Sequence, residues 1–324
     1  MIYTCTMQKI LAIDFGGTKI AAGLITSRGH IIAKESCPTP SDGPEAAMHC
    51  AVELAIRLQN TAGAATAVGL ALPGMVDRSG GILLHSPSSG WSDVPFVQMA
   101  KDAFGLPVSC DNDVNACAWA EACFGGSDCS GTAIPGSFFW LTISTGIGGA
   151  IVTDGKVMAG THGMAGELGH LVVNPGGALC GCGNRGCLEA EAAGPAWRRM
   201  ALAALDDSTR ETSSCLSTLH RSTIEAKTIA VGARSGDCLC LEIVENAGLM
   251  LARGLAAVYT ILDPEAVYLG GGVGQAFDVL QPVIRKEMSN LVQPAKDRHF
   301  RIEPSSLGYD AALLGAAALV LHPY

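Results

Sequence analysis

Two stretches of this chain are built alike, and together they limit its fold more than any other feature. Residues 9–14 (KILAID) are a short apolar run ending in a carboxylate. Gly16, Gly17, Thr18 and Lys19 follow, then a returning run, IAAGLI, and a third, HIIAKES. Residues 138–153 repeat the design, with FFWLTIS, the turn Thr145-Gly146-Ile147-Gly148-Gly149, and AIV. Short apolar runs bounded by glycine read as buried strands joined by tight turns. Two such copies about 130 residues apart predict two related α/β domains facing each other, each contributing a turn able to grip phosphate. Glycine lets backbone N–H groups approach an anion, Thr18 offers a hydroxyl, and Asp14 can hold a hydrated metal ion. The dinucleotide fingerprint GxGxxG is absent, since the second turn leads into a strand where the fingerprint requires a helix.

Between and after the copies, helices and strands alternate. Residues 43–60 read as a helix, 67–74 as a strand entering a Pro-Gly turn, and 82–91 as a short strand and loop. PFVQMAKDAFG is helical. PVSC (107–110) is a strand that delivers Asp111, Asn112 and Asp113 to the start of the helix VNACAWAEACFG. Ligands of open α/β sheets bind at the carboxyl ends of strands. One residue of the trio is expected to cap the helix, leaving a carboxylate and an amide free. Asp113 is then placed to act as a general base. GPAWRRMALAAL is helical, 206–222 is a polar loop with some helix, and 237–262 is a long apolar helix stopped by Asp263-Pro264. AVYL (266–269) is a strand ending in Gly270-Gly271-Gly272-Val273. That turn fits either a flat ligand such as adenosine lying on backbone or a merely crowded corner. The chain closes with a strand, RIEP, and a helix, AALLGAAALVL, whose small residues suit close packing.

The segment 163–191, GMAGELGHLVVNPGGALCGCGNRGCLEAE, carries one histidine and three cysteines. Nine residues separate His170 from Cys180, one separates Cys180 from Cys182, and four separate Cys182 from Cys187. Three thiolates and an imidazole, with glycines at 176, 177, 181, 183 and 186, suit a closed tetrahedral zinc site of structural type. The other ten of the chain's 13 cysteines show no comparable clustering. Glu167 and Glu189 bracket the cluster, and a zinc that only stiffened a loop would not need carboxylates at both ends.

Composition narrows the partners. With 48% hydrophobic and 16% charged residues, the 324-residue chain is globular and long enough for two cores. A formal charge of −9 argues against nucleic acid as a partner, because phosphate binding needs a basic face. No apolar run reaches the length of a membrane span, and the opening residues lack a basic, then apolar, signal pattern. Scattered cysteines in odd number indicate a reduced, cytoplasmic protein. Met7 is an alternative start, since patterned sequence begins at Gln8.

Five of these motifs, in this order, resemble the ROK family (repressors, open reading frames and sugar kinases) of the actin-like ATPase superfamily, over residues 8 to about 321. The family's zinc signature, E-x-G-H then G-x-x-C-x-C-G-x-x-G-C-x-E, is matched at Glu167, Gly169, His170, Gly177, Cys180, Cys182, Gly183, Gly186, Cys187 and Glu189. Its N-D-x-N-A segment matches Asn112, Asp113, Asn115 and Ala116, its phosphate hairpins match Asp14–Lys19 and Thr145–Gly149, and its adenosine turn matches Gly270–Val273. The resemblance implies two ribonuclease H-like domains with a cleft between them and a zinc-bound loop. It implies ATP-dependent phosphorylation of a hexose, with Mg2+ on the triphosphate and Zn2+ structural. Asp113 would take the proton of the sugar's 6-hydroxyl. Asn112, Glu167, His170 and Glu189 would bind sugar hydroxyls, and Gly74 would lie in a loop lining the same pocket. Asp14, Gly16, Gly17, Thr18, Lys19, Thr145, Gly146, Gly148, Gly271, Gly272 and Val273 would hold ATP. His170 would then serve zinc with one ring nitrogen and the sugar with the other.

No linker divides the halves, so the boundary rests on the repeat: residues 1–116 with 308–324 as a small domain, 117–307 as a large one. Repressors of the family carry a helix-turn-helix domain ahead of the first phosphate turn, and Asp14 comes too early for one. A zinc-stabilised sugar binder without catalysis is disfavoured by the intact hairpins and Asp113. Glucose is the expected sugar, ahead of N-acetylmannosamine and fructose. Ser86-Pro87-Ser88-Ser89-Gly90-Trp91 lacks the asparagine common before this Trp in glucokinases, whereas the short His170–Cys180 spacing fits glucokinases and N-acetylmannosamine kinases. Family members are often dimers or tetramers, so a homodimer or homotetramer is expected.

Overall fold

Lys9–Phe15 is apolar on both faces, and the computed structural model, which describes residues 8–126, 134–209, 213–292 and 300–324, buries it on both. Met7, Cys5, Cys129 and residues 210–212 of the polar stretch lie outside the described residues. β1 (Lys9–Phe15), β2 (Lys19–Thr26) and β3 (Ile31–Pro38) form an antiparallel meander. β4 (Ala67–Leu72) pairs parallel with β1, and β8 (Val108–Asn112) pairs parallel with β4, giving the order β3-β2-β1-β4-β8.

Alternation along the strands explains the layers. Leu11, Ile13 and Phe15 of β1 and Val68, Leu70 and Leu72 of β4 share a core with Ala47, Ala51, Leu54 and Leu58 of α1 (Pro44–Ala62). Gly69, on the opposite face of β4, meets α10 (Ala311–Leu321) at Ala316. α10 also packs on α3 (Asp113–Phe124), where the missing side chain of Gly315 lets Ala116 O approach. The small residues of AALLGAAALVL therefore do serve close packing. A small antiparallel sheet, β5 (Met75–Asp77), β6 (Ile82–His85) and β7 (Ser92–Val94), was legible only at β6, because three-residue strands carry no period. α2 (Phe96–Phe104) follows it.

The second sheet repeats the first. β9 (Phe138–Ile143), β10 (Ile147–Thr153), β11 (Lys156–Val157), β12 (Ala266–Gly270) and β13 (Ile302–Pro304) take the order β11-β10-β9-β12-β13. β12 is parallel to β9 and β13 is parallel to β12, so the strand succession matches that around β1. α4 (Leu188–Ala192), α5 (Gly194–Asp206), α6 (Ala226–Arg234) and α9 (Phe277–Leu291) pack with α7 (Cys238–Leu262), and the single turn α8 (Gly271–Gly274) follows β12. α7 ends where Asp263 turns left-handed at φ 44° before Pro264, as its sequence requires. α6 and α9 were not read from sequence; α9 carries Pro282 in its interior.

The chain divides into two compact units, residues 1–136, 151–165 and 309–324 in one and 137–150 and 166–308 in the other. The boundary expected after residue 116 falls inside α3. Its backbone contact with α10 keeps the whole helix in the first unit, and nothing in the local sequence marks that.

Gly69 carries a direct prediction. A Cβ there would lie 1.8 Å from Ala316 O, and that neighbour is helix backbone with no room to yield. Gly69→Ala is expected to cost about 3 kcal/mol, read as a lowered urea midpoint with the slope unchanged. An unchanged midpoint would mean that α10 does not lie against β4 this closely.

Candidate functional site

In the first unit the Asp-Asn-Asp trio is divided three ways. Asp111, 2% exposed, keeps Oδ2 3.0 Å from Arg78 Nε and accepts the Tyr324 hydroxyl. Its Oδ1 accepts Asn115 Nδ2 at 3.2 Å, and the Arg78 guanidinium lies 4.0 Å over the Tyr324 ring. This acid secures the end of β8. Asn112 is the cap: Oδ1 accepts the Val114 and Asn115 amides at 2.8 and 3.0 Å. Nδ2 donates to Gly74 O at 2.9 Å, so the amide expected to be free is already engaged and has one N–H left. Gly74, at φ 112°, is required there, since a Cβ would lie 2.3 Å from His85 O. Asp113 opens α3 with Oδ1 accepting the Val114 amide at 2.9 Å, which orients its carboxylate in the first helical turn.

Asp113 has a charged neighbour at the end of β1. Burial, and then the charge of Asp113, push Asp14 up to about 7, with Lys19 working the other way. Two carboxylates that cannot both ionise without cost are what a divalent cation relieves. The adjoining turn is tight: Gly16 N–H donates to Lys19 O at 3.0 Å, Thr39 Oγ1 donates to Gly16 O at 2.7 Å, and Ser88 sits 3.3 Å from the Cβ position of Gly17. Gly17, Thr18 and Lys19 remain exposed.

The sign of the Asp14 effect is fixed. Its folded pKa lies above the unfolded value of 3.8, so its contribution is complete below that value and fades as pH rises through about 7. Wild type should therefore lose about 2 kcal/mol more stability than Asp14→Asn between roughly pH 4.5 and 7.5. Urea unfolding of both chains at the two pH values checks this; parallel profiles would refute it. Added Mg2+ should narrow the difference.

In the second unit, 166–191 holds its shape through backbone hydrogen bonds with little regular structure. Val173 and Asn174 both donate to Gly186 O, Cys180 N–H donates to Asn184 O, and Leu188 N–H donates to Leu171 O. Gly186, at φ 77°, would place a Cβ 1.7 Å from Asn174 O, and Gly169 would place one 1.9 Å from Ile147 O. These glycines bring the four ligands together: His170, Cys180, Cys182 and Cys187 offer atoms all within 4.8 Å of one another. His170 Nδ1 lies 3.7 Å from Cys180 Sγ, and Cys182 Sγ lies 3.7 Å from Cys187 Sγ. A tetrahedron with Zn–S bonds of about 2.3 Å has edges of about 3.8 Å, so the donor set and spacing fit zinc. Without a cation, burial and the two neighbouring sulfurs push Cys187 up to about 12. The outer ring nitrogen, His170 Nε2, lies 3.9 Å from Glu167 Oε2. Partial burial raises the Glu167 pKa, His170 opposing and Glu189 adding to it.

Glu189 does something the sequence did not show. Its Oε2 accepts the Ile147 amide at 3.0 Å, and a Cβ on Gly146 would lie 2.5 Å from that oxygen. The acid thus ties the Cys/His segment to the second glycine turn, while its Oε1 lies 3.7 Å from Cys180 Sγ. Gly146 is fixed by this contact, Thr145 is exposed, and Gly148 is half-buried. At 270–273 the crowded corner accounts for two glycines. Cβ atoms on Gly270 and Gly271 would lie 2.4 Å from the Trp140 ring and 2.5 Å from Ile143 O. Gly272 is exposed, and the Val273 side chain is buried.

Thr39, Arg78 and Tyr324, which brace the first turn and Asp111, were missed in sequence. Each lies in an unpatterned segment far along the chain from what it supports.

A profile described as the ROK family matches residues 10–322. A glucokinase of Streptomyces coelicolor is 34% identical over 325 residues, 98% of this chain and 99% of its own length. An N-acetylmannosamine kinase of Salmonella typhi is 35% identical over 314 residues, 95% of this chain and 97% of its own. Among solved structures, a ROK family glucokinase from Streptomyces griseus in complex with glucose and AMPPNP superposes with a TM-score of 0.84. It is 31% identical and covers 96% of this chain and 98% of that one.

Proposed function

This chain belongs to the ROK family, and on that footing we propose that it transfers the γ-phosphoryl group of ATP to the 6-hydroxyl of a hexose, glucose before others. It is an ATP-dependent sugar kinase. One observation carries the residue assignment. Asp113 stands in the first turn of α3 with Oδ1 on the Val114 amide, close enough to Asp14 to raise that acid's pKa.

Phosphoryl transfer asks a protein mainly for positioning and electrostatic stabilisation. Asp113 takes the proton from the 6-hydroxyl as that oxygen attacks. On the turn closed by the Gly16 N–H to Lys19 O bond, Gly17, Thr18 and Lys19 hold phosphate oxygens with amides, a hydroxyl and an ammonium. Thr145, Gly146 and Gly148 do the same on the second turn, and the backbone at Gly271, Gly272 and Val273 takes the adenosine. Magnesium, when bound, would neutralise phosphate charge, and Asp14 is the carboxylate to hold it through water. Glu167, His170 Nε2, Glu189 and the remaining N–H of Asn112 read the sugar hydroxyls. Zinc on His170 Nδ1 and the three sulfurs would lock the ring so that Nε2 stays outward. The chain is taken to act as a homodimer or homotetramer. Among the described residues no helix is long and apolar enough to cross a membrane.

Assay of ADP release over a panel of hexoses tests the reading, because discrimination resides in kcat/KM. Glucose should rank first. N-acetylmannosamine is the second reading, favoured by a relative of 35% identity, with fructose behind it. ADP release that no hexose stimulates would overturn the assignment.

A further inference from the structure

Far along the chain from the zinc-type cluster, the second unit gathers another soft donor set. Cys215, Asp237 and Cys240 offer ligand atoms within 4.8 Å of one another. One carboxylate organises it. Asp237 Oδ1 accepts the Cys240 amide at 3.0 Å as the N-cap of α7, and also the Ser214 hydroxyl at 2.9 Å. Its Oδ2 accepts the Cys215 amide at 2.7 Å. The backbones of both cysteines are thus pinned to the same acid before any ligand arrives, the kind of preorganisation that supports metal donors.

Both sulfurs also converge on one notch. A Cβ on Gly232, in the interior of α6, would lie 2.5 Å from Cys240 Sγ and 2.9 Å from Cys215 Sγ. Glycine inside a helix is destabilising relative to alanine, and here its missing side chain is what admits two sulfurs. Cys240 is fully buried and Cys215 is exposed. Beside them opens a surface cavity of about 750 Å³, lined by Cys215, Thr218, Glu225, Gly232 and Asp237 among others.

We propose that Cys215, Asp237 and Cys240 form a second site, for a thiophilic divalent cation of the zinc class. Two sulfurs and a carboxylate select soft or borderline cations over magnesium or calcium. Three protein ligands leave the fourth position to water from the cavity, so this site exchanges its metal more readily than the four-ligand cluster. Two thiolates and a carboxylate carry three negative charges, which a dication largely compensates.

Cobalt(II) titration of the full-length chain, purified in reductant and stripped of metal, tests this through the thiolate-to-cobalt absorption. Wild type should take up two equivalents, the weaker one assigned here. Cys215→Ser, an exposed substitution that leaves packing alone, should weaken that equivalent at least about tenfold and spare the tighter one. Gly232→Ala, which keeps all three ligands but puts a methyl group in the notch, should do the same. Cys182→Ser should instead weaken the tighter equivalent, so failure of either cluster is seen separately. A single equivalent in wild type, or a second that survives both Cys215→Ser and Gly232→Ala, overturns the proposal. So does the loss of two thiols as a Cys215–Cys240 disulfide in place of a second equivalent.

Discussion

Asp113→Asn should lower kcat by about a thousandfold while the hexose KM changes little, the scale of removing one positioned base. The substitution is nearly isosteric and retains an oxygen to accept the Val114 amide, so α3 keeps its first turn. What it removes is the capacity to take a proton. Asp111→Asn should behave differently although it lies two residues away. It leaves Arg78 beside a neutral partner in a nearly closed setting, so stability falls as well as rate. Steady-state kinetics together with urea unfolding of both variants separates the roles. Near-normal kcat in Asp113→Asn would remove Asp113 from the chemistry, and a stable, slow Asp111→Asn would point to the other acid.

Zinc removal is expected to raise the hexose KM at least about tenfold and to lower stability by several kcal/mol, with the KM for ATP changed far less. Cys182→Ser is the clean variant, because Cys182 is exposed and serine fills nearly the same space. Cys187, fully buried beneath the segment, would confuse lost packing with lost metal. The sugar should suffer first because the cluster fixes the ring whose other nitrogen lies 3.9 Å from Glu167. The tie from Glu189 to the Ile147 amide sets the size of the ATP effect, since slack in the loop reaches the second glycine turn through that bond. Metal content, KM for both substrates and thermal midpoint, measured on Cys182→Ser and on chelator-treated wild type, give the comparison. Equal loss for sugar and ATP would make the cluster a scaffold only, and full stability after chelation would deny the metal a role.

Much of the fold was legible because its signals are local. Apolar runs of strand length broken by Gly-Gly-Thr or Thr-Gly-Ile-Gly-Gly define the paired hairpins wherever the remainder of the chain goes. The long α7 and the Asp263-Pro264 stop are equally local. Three-residue strands such as β5 and β7 escaped, as did α9 with its internal Pro282, because each lacks a period or breaks its own. The triple glycine at 270–272 shows the limit from the other side. Composition left ligand and crowding open, and the Trp140 ring and Ile143 carbonyl account for two of the three.

The sequence by itself determined the donor set at His170, Cys180, Cys182 and Cys187, because ligand chemistry and turn-permitting glycines both lie within one short segment. It also determined that a strand would present Asp111, Asn112 and Asp113 at its carboxyl end. Which of the three caps, which braces and which faces Asp14 was settled only by partners at positions 14, 74, 78 and 324. Adjacent residues at a strand–helix junction point in different directions, and a carboxylate's chemistry is set by the charges and donors around it. Those neighbours arrive only when the distant segments carrying them have folded into place.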